Sequence, residues 1–209
     1  AVESVKREGG NVYVAKTAED ARRYVVSLAE SRGVKCVIKS KSMTTEEIDL
    51  NNALLSRGID VIETDLGERL VQLAGQRPSH IIAPAVHLSR EEIARLVNEK
   101  KGADLPPQPE AITQFFRQDL WSDFKRAEMG ITGANVVVAE TGQVVLVTNE
   151  GNGRLVTAMP RILVSIAGIE KIVETWDDAF NVLRVLPVSA VGRDTTCLLY
   201  TSPSPRDRQ

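Results

Sequence analysis

The chain has 209 residues, 43% of them hydrophobic, and a formal net charge of −2 at pH 7. This length and composition are sufficient for one domain with a sizeable core. The near balance of charges argues against a nucleic-acid-binding surface, and no apolar run reaches the roughly 18 residues that a membrane span needs. We therefore expect a cytoplasmic protein with no nucleic-acid partner and no membrane span.

The two cysteines, Cys36 and Cys197, lie in different contexts. Cys36 falls in a predicted buried strand, whereas Cys197 opens the final segment, CLLYTSPSPRDRQ. That segment resembles the translation of a sequencing-library adapter, with a genuine disordered Ser/Pro-rich tail as the alternative. We predict that residues 197–209 are disordered and that residues 1–196 form the domain, as a fragment of a longer protein. With one cysteine left and no metal-ligand spacing, no metal or cofactor is expected in this fragment.

The first half of the chain alternates predicted helices and strands. Polar caps followed by helically spaced apolar residues predict helices at 17–32, 45–57, 65–75 and 90–100. Short apolar runs between them predict strands at 34–39, 59–64 and 80–86. Three strand–helix units in succession indicate an α/β fold with a mostly parallel sheet and helices on both faces.

The second half of the chain begins with a predicted linker at 103–109 and a long amphipathic helix at 110–128. Two β-branched runs, Val136–Val138 and Val144–Val147, flank a Gly-containing turn. This pattern predicts a β-hairpin that extends the sheet. A further strand and a further helix are predicted at 161–168 and at about 175–186.

Six short motifs give the chain a family resemblance. They are KSKSM (39–43), ETDLGE (63–68), PSHIIAPA (78–85), GITGAN (130–135), AETG (139–142) and TNEGNGR (148–154). Together they resemble the LUD domain of the lactate-utilisation iron–sulfur proteins (the B-subunit family). The resemblance implies a fold similar to the superfamily of sugar-phosphate isomerases and coenzyme-A transferases. It also implies two 4Fe-4S clusters in a C-terminal region of the parent protein that lies outside this fragment.

The KSKSM motif supplies the first candidate site. Lys39, Ser40, Lys41 and Ser42 follow a predicted strand and precede a predicted helix. Backbone N–H groups at a helix N-terminus, together with two lysines, are typical of an anion-binding site. An ordinary connecting loop with exposed lysines is the alternative.

Two further candidates end predicted strands, where open α/β sheets bind their ligands. Glu63 is a candidate base or hydroxyl-binding carboxylate, and His87 is a candidate ligand-binding residue. Asp65 and Glu68, which follow Glu63, are explained by capping of the next helix.

The Gly-rich loop after the hairpin is the third candidate site. Its backbone N–H groups and an arginine suit a phosphate or carboxylate, although a turn-rich connection is the alternative. The predicted ligand-binding residues are Asn149, Gly151, Asn152, Gly153 and Arg154. The superfamily resemblance implies that Glu140 or Glu150 acts as a catalytic base or nucleophile.

The resemblance implies a function in lactate oxidation. The chain would be the LUD portion of an iron–sulfur subunit in a cytoplasmic complex that oxidises L-lactate to pyruvate. It would bind substrate, cofactor or a partner subunit, and its expected partners are the other subunits and a small anionic ligand. A stand-alone isomerase or acyl-transferase-like enzyme and a non-catalytic scaffold are the alternatives. The candidate residues of all the loops are expected to converge on one cleft.

Overall fold

The computed structural model describes residues 1–76, 79, 83–148, 151–192 and 199–201. The helices are α1 (Val2–Arg7), α2 (Ala18–Ser31), α3 (Met43–Glu47), α4 (Leu50–Leu55), α5 (Leu66–Ala74), α6 (Arg90–Lys101), α7 (Pro109–Arg126), α8 (Asn152–Ala158) and α9 (Trp176–Val191). The strands are β1 (Cys36–Lys39), β2 (Asp60–Glu63), β3 (Met129–Thr132), β4 (Val136–Val138), β5 (Val144–Val147), β6 (Ile162–Ser165), β7 (Ile172–Val173) and β8 (Leu199–Thr201).

The main sheet has four parallel strands in the order β2-β1-β3-β6. Alternate residues of β1 face opposite helical layers, as the pleat of a strand requires. Val37 belongs to a core cluster with residues of α2 and α4, while Ile38 belongs to a second cluster with residues of α7 and α8. The predicted α/β fold, with a mostly parallel sheet and helices on both faces, is confirmed.

The predicted strand at 80–86 is wrong over residues 83–86, because Ala83 has no regular structure and residues 84–86 form a turn; residues 80–82 lie outside the described part of the chain. Pro84 provides a physical reason, because proline has no N–H to donate to a ladder. Its ring packs beside Gly67, where an added Cβ would lie 2.8 Å from the Pro84 Cγ. The third strand of the main sheet is instead β3, which the sequence pattern did not predict.

The predicted helix at 45–57 is two short helices, α3 and α4. Ser42 caps α3, since its Oγ accepts a hydrogen bond from the Thr45 N–H at 3.4 Å. Asp49 separates the two helices with a left-handed backbone (φ 51°), a conformation that Asp tolerates better than most residues. The resulting bend shapes one wall of a cleft.

The hairpin of β4 and β5 forms as predicted, but it belongs to a second sheet in the order β7-β4-β5-β8. Asn135 helps to close this hairpin, because its Oδ1 accepts a hydrogen bond from the Val147 N–H at 2.8 Å. Helix α9 packs on the second sheet through the buried residue Ala179. The hairpin therefore does not extend the main sheet.

Strand β8 lies in the segment that was predicted to be disordered. Leu199–Thr201 pair antiparallel with β5, whose edge otherwise presents unpaired backbone groups. The disorder predicted for residues 197–209 stays a prediction. The rest of that segment, 197–198 and 202–209, lies outside the described residues.

Candidate functional site

A cleft of about 910 Å³ opens where β1 and β2 end. The two strands are parallel neighbours, with Lys39 directly paired with Glu63, so the segments that follow them meet at one edge of the sheet. The lining comes from the KSKSM segment, from α3 and α4, and from α5 with the turn after it. Lys41, Ser42 and Glu63 line this cleft, as their positions after β1 and β2 predict.

Lys39 and Glu63 form a buried ion pair beside the cleft. Their side chains are 0% and 3% exposed, and Lys39 Nζ lies 2.9 Å from Glu63 Oε1. Lys39 Nζ also donates to Thr45 Oγ1 at 2.8 Å, and the Asn51 amide donates to Glu63 Oε1 at 2.8 Å. These contacts fix α3 and α4 to the ends of β1 and β2, so the pair holds the cleft walls in place.

The serines of the KSKSM segment shape its backbone. The Ser40 N–H donates to the Ile131 carbonyl oxygen at 3.0 Å, which ties the segment to β3. Gly133, just after β3, leaves room for Ser42, because an added Cβ would lie 2.6 Å from the Ser42 Oγ. Both serines thus hold the loop in position.

Glu68 is a buried residue of this cleft that the sequence pattern did not indicate as part of a site. Asp65 caps α5 as predicted, with its Oδ1 accepting from the Gly67 N–H at 3.0 Å. Glu68 lies one turn into α5, is 6% exposed and faces the cleft. Its Oε1 lies 2.9 Å from Lys41 Nζ. Burial, together with Asp65, raises the pKa of Glu68 to about 8, although Lys41 opposes this shift.

His87 lies behind the rim of the cleft. Its Nδ1 is 2.8 Å from Ser79 Oγ and its Nε2 is 2.7 Å from Gln76 Oε1. Gln76 and Ser79 line the cleft, so His87 orients two lining residues.

The Gly-rich loop leads into α8 rather than forming a long connection. Gly151, with φ 76°, precedes this helix. Asn152 donates from its amide to Thr64 Oγ1 at 3.1 Å, and Thr64 Oγ1 in turn donates to the Lys39 carbonyl oxygen at 2.8 Å. Asn152 therefore reaches the ends of β1 and β2, as the convergence of the candidate loops predicts.

Other residues of the Gly-rich loop are placed less centrally. Gly153 is buried, and a Cβ added there would lie 3.5 Å from the Thr148 Cβ, whereas Arg154 is exposed on α8. Asn149 and Glu150 lie outside the described residues, so their predicted roles stay predictions.

Glu140 does not join the cleft, and the expectation of full convergence is wrong for it. Its Oε1 accepts a hydrogen bond from the Trp176 N–H at 2.9 Å, at the start of α9. It lines a separate depression of about 300 Å³ together with Arg7 and Gln143. The physical reason is that Glu140 follows β4, which belongs to the second sheet.

The cleft is acidic in the described part of the chain. The carboxylic acids in its lining are Glu46, Glu47, Asp49, Glu63 and Glu68. Lys41 is the basic residue among the described lining residues, and it is paired with Glu68. Both lysines of the predicted anion site are thus compensated by carboxylates.

The described residues do not fit an iron–sulfur cluster. Within the described ranges, no group of three His, Cys, Asp or Glu side chains is arranged to hold a metal ion. Cys36 is buried, and burial raises the pKa of its thiol to about 11, whereas four-iron clusters need several thiolate ligands. Among the helices that the structure describes, none combines the length and the apolar character of a membrane span.

Fold and site together define an α/β domain with a polar cleft at the carboxyl ends of parallel strands. The family profile of the LUD domain matches residues 1–208. The chain therefore belongs to the LUD-domain family. No solved structure matches it, so the similarity to the isomerase and coenzyme-A transferase superfamily stays a prediction.

Three curated relatives illustrate the similarity. The chain is 47% identical over 194 residues to the uncharacterized electron transport protein YkgF of Escherichia coli. It is 44% identical over 206 residues to lactate utilization protein B of Shouchella clausii and 43% identical over 194 residues to that of Oceanobacillus iheyensis. These alignments cover 93–98% of this chain but 41–43% of the relatives. The chain thus spans about two fifths of their length.

Proposed function

We propose that this chain is the LUD portion of a lactate-utilisation protein, acting within a cytoplasmic complex that oxidises L-lactate to pyruvate. The observation that carries the proposal is the identity of 43–44%, over at least 93% of the chain, to proteins named lactate utilization protein B. The name of the Escherichia coli relative, an electron transport protein, agrees with a role in which electrons leave the substrate.

In this proposal the domain binds substrate, cofactor or a partner subunit, and other parts of the complex carry the electrons. Oxidation of L-lactate to pyruvate releases two electrons and two protons, and the described residues offer no thiolate set for a cluster. We therefore assign the two 4Fe-4S clusters to a region of the full-length protein beyond this domain. We further assign Arg154 as the contact for a small carboxylate or phosphate, because a guanidinium matches such groups with two parallel hydrogen bonds.

A domain exchange tests the proposal. In Bacillus cereus, whose lactate utilization protein B is 44% identical to this chain, the aligned LUD region would be replaced by residues 1–196. We expect growth on L-lactate to be retained, because the exchanged region would keep its ligand and its subunit contacts. The matched control carries the Bacillus cereus region rejoined at the same junctions.

The decisive measurement is the growth rate on L-lactate compared with that on glucose. A chimera that accumulates to the level of the control, yet supports growth on glucose and not on L-lactate, contradicts the proposal.

A further inference from the structure

In their ionised form, two carboxylates of the cleft each keep one oxygen without a hydrogen-bond partner among the described residues; when Glu68 is protonated, it shares a hydrogen bond with Asp65. Glu63 uses its Oε1 for Lys39 and Asn51, and Glu68 uses its Oε1 for Lys41. The Oε2 atoms of both glutamates are buried and unpaired, and the two residues are 3% and 6% exposed. Buried polar atoms in folded proteins nearly always have a partner. Two such oxygens on residues lining one cleft therefore indicate a ligand that donates hydrogen bonds.

The charge of the lining narrows the chemistry of that ligand. Five carboxylic acids line the cleft in its described part, against Lys41. An anion would bring further acceptors and a like charge, so it does not complement this surface. A primary ammonium brings three donors and a positive charge. A divalent metal ion is not favoured, because the described residues contain no three-ligand cluster.

We propose that the cleft binds a small molecule through a primary ammonium group, which donates hydrogen bonds to the unpaired oxygens of Glu63 and Glu68. The cleft volume, about 910 Å³, is that of a small-molecule site, roughly 300–1,000 Å³. Glu47 and Asp49 also line the cleft and suit a second positive group, so a diamine is the matching probe. This inference does not depend on the role in lactate utilisation.

Binding of an ammonium is coupled to the proton of Glu68. The groups that face Glu68 are Asp65, which raises its pKa together with burial, and Lys41, which lowers it. Because the pKa is raised to about 8, more of Glu68 is ionised at pH 8 than at pH 6. An ammonium needs the ionised carboxylate, so its affinity rises with pH by up to about tenfold per unit below pH 8. A neutral hydroxyl group does not need this ionisation.

Titration calorimetry of the 209-residue chain with 1,4-diaminobutane tests the proposal. Phosphate buffer is used at pH 6, 7 and 8, because amine buffers would compete. The matched ligand is butane-1,4-diol, which keeps the chain length and the donor positions but carries no charge. We expect the diamine to bind at least tenfold more tightly than the diol at pH 8, with an affinity that increases from pH 6 to pH 8. Equal affinities, an affinity independent of pH, or no binding of either ligand overturns the proposal.

Variants localise the binding to the cleft. Glu68→Gln removes the charge and is expected to lower the diamine affinity at least tenfold and to abolish its pH dependence. The control Glu99→Gln makes the same change at an exposed position on α6 and should leave the affinity unchanged. Glu47→Gln changes an exposed residue of the cleft wall, so it tests the site without disturbing a buried pair, and a severalfold loss is expected. Unchanged affinity in folded Glu68→Gln and in Glu47→Gln contradicts the assignment.

Discussion

The ion pair between Lys39 and Glu63 joins two buried charges beside the cleft. Both side chains are almost fully withdrawn from water, so each depends on the other to compensate the cost of burying a charge. The pair also lies in the central strand β1 and its neighbour β2. Stability at this point of the sheet therefore depends on charge as well as on packing.

Lys39→Met should destabilise the fold by about 3–5 kcal/mol, because it leaves the Glu63 carboxylate buried without its cation. Urea unfolding measures the change in the free energy of unfolding. Lys6→Met is the matched control, since the Lys6–Glu3 pair is 54% and 88% exposed and such pairs contribute about 1 kcal/mol or less. Adding Glu63→Gln to Lys39→Met should recover part of the loss. If Lys39→Met and Lys6→Met lower the free energy of unfolding equally, this account is contradicted.

Arg154 carries the second prediction at the residue scale. If its guanidinium orients a carboxylate or phosphate, Arg154→Lys keeps the charge but loses the two-pronged geometry. The free energy of binding that anion should become less favourable by roughly 1–3 kcal/mol, the scale of a charged hydrogen bond. Arg154→Ala should weaken the binding at least as much. Calorimetric titration with L-lactate and with phosphate measures this, and urea unfolding should show little change. An anion that binds all three proteins equally would make Arg154 a structural residue.

The residues of the site differ in how far sequence could predict them. Glu63 could be predicted, because a carboxylate that ends an apolar strand has no role in packing. Glu68 could not, because its place three residues after Asp65 is fully explained by helix capping. Its inward orientation depends on how α5 packs against β2, and that is a tertiary property.

At the scale of elements, β3 and α8 approach each other closely at Gly130. A Cβ added at Gly130 would overlap the carbonyl oxygen of Val156. A backbone atom cannot move aside as a flexible side chain can, so this position of β3 requires glycine.

Gly130→Ala should therefore destabilise the protein by about 1–3 kcal/mol or more, through overpacking. Gly33→Ala is an informative comparison, because Gly33 has φ +66° and no atom within 4 Å of an added Cβ. The stability lost in Gly33→Ala comes from the strained backbone conformation alone and should be about 1 kcal/mol. Thermal and urea unfolding of both variants measure the difference. A smaller loss at Gly130 than at Gly33 would show that β3 and α8 separate easily.

The sequence predicted elements well where local signals decide them and poorly where pairing decides them. The capped helices α2, α5 and α6 lie within a few residues of their predicted bounds. Strand β3 was missed because its four residues include Gly130, which weakens a strand signal, and its ladder depends on β1 and β6. The segment 80–86 was assigned as a strand from its apolar pattern, although Pro84 interrupts it.

At the scale of the whole molecule, the chain forms two sheets. This division explains why the prediction that Glu140 joins the cleft is wrong. Residues that follow β1 and β2 meet because those strands are neighbours. Glu140 follows β4, and no local pattern in the sequence indicates that the β4–β5 hairpin pairs with β7 rather than with a strand of the main sheet. The partner of a strand is a long-range property, whereas the existence of a hairpin is a local one.

Deletion of residues 197–209 is the prediction at this scale. The removed strand β8 pairs through three residues at the edge of the second sheet, so the free energy of unfolding should change by about 1 kcal/mol or less. The edge of β5 then presents its unpaired backbone groups, and we expect a greater tendency to self-associate. Thermal unfolding and light scattering at increasing protein concentration measure the two effects. A large loss of stability would show that the segment is an essential part of the second sheet.

The described residues that line the acidic cleft all fall between Lys41 and Ser79, so the site is encoded almost without interruption. A recombination event with two crossovers flanking this stretch would transfer the described lining from one gene to another. The second sheet, α7 and α9 would remain those of the recipient. Ligand preference in this family can therefore change by exchange of this one short stretch of sequence. The surfaces that the rest of the domain presents to partner proteins would stay the same.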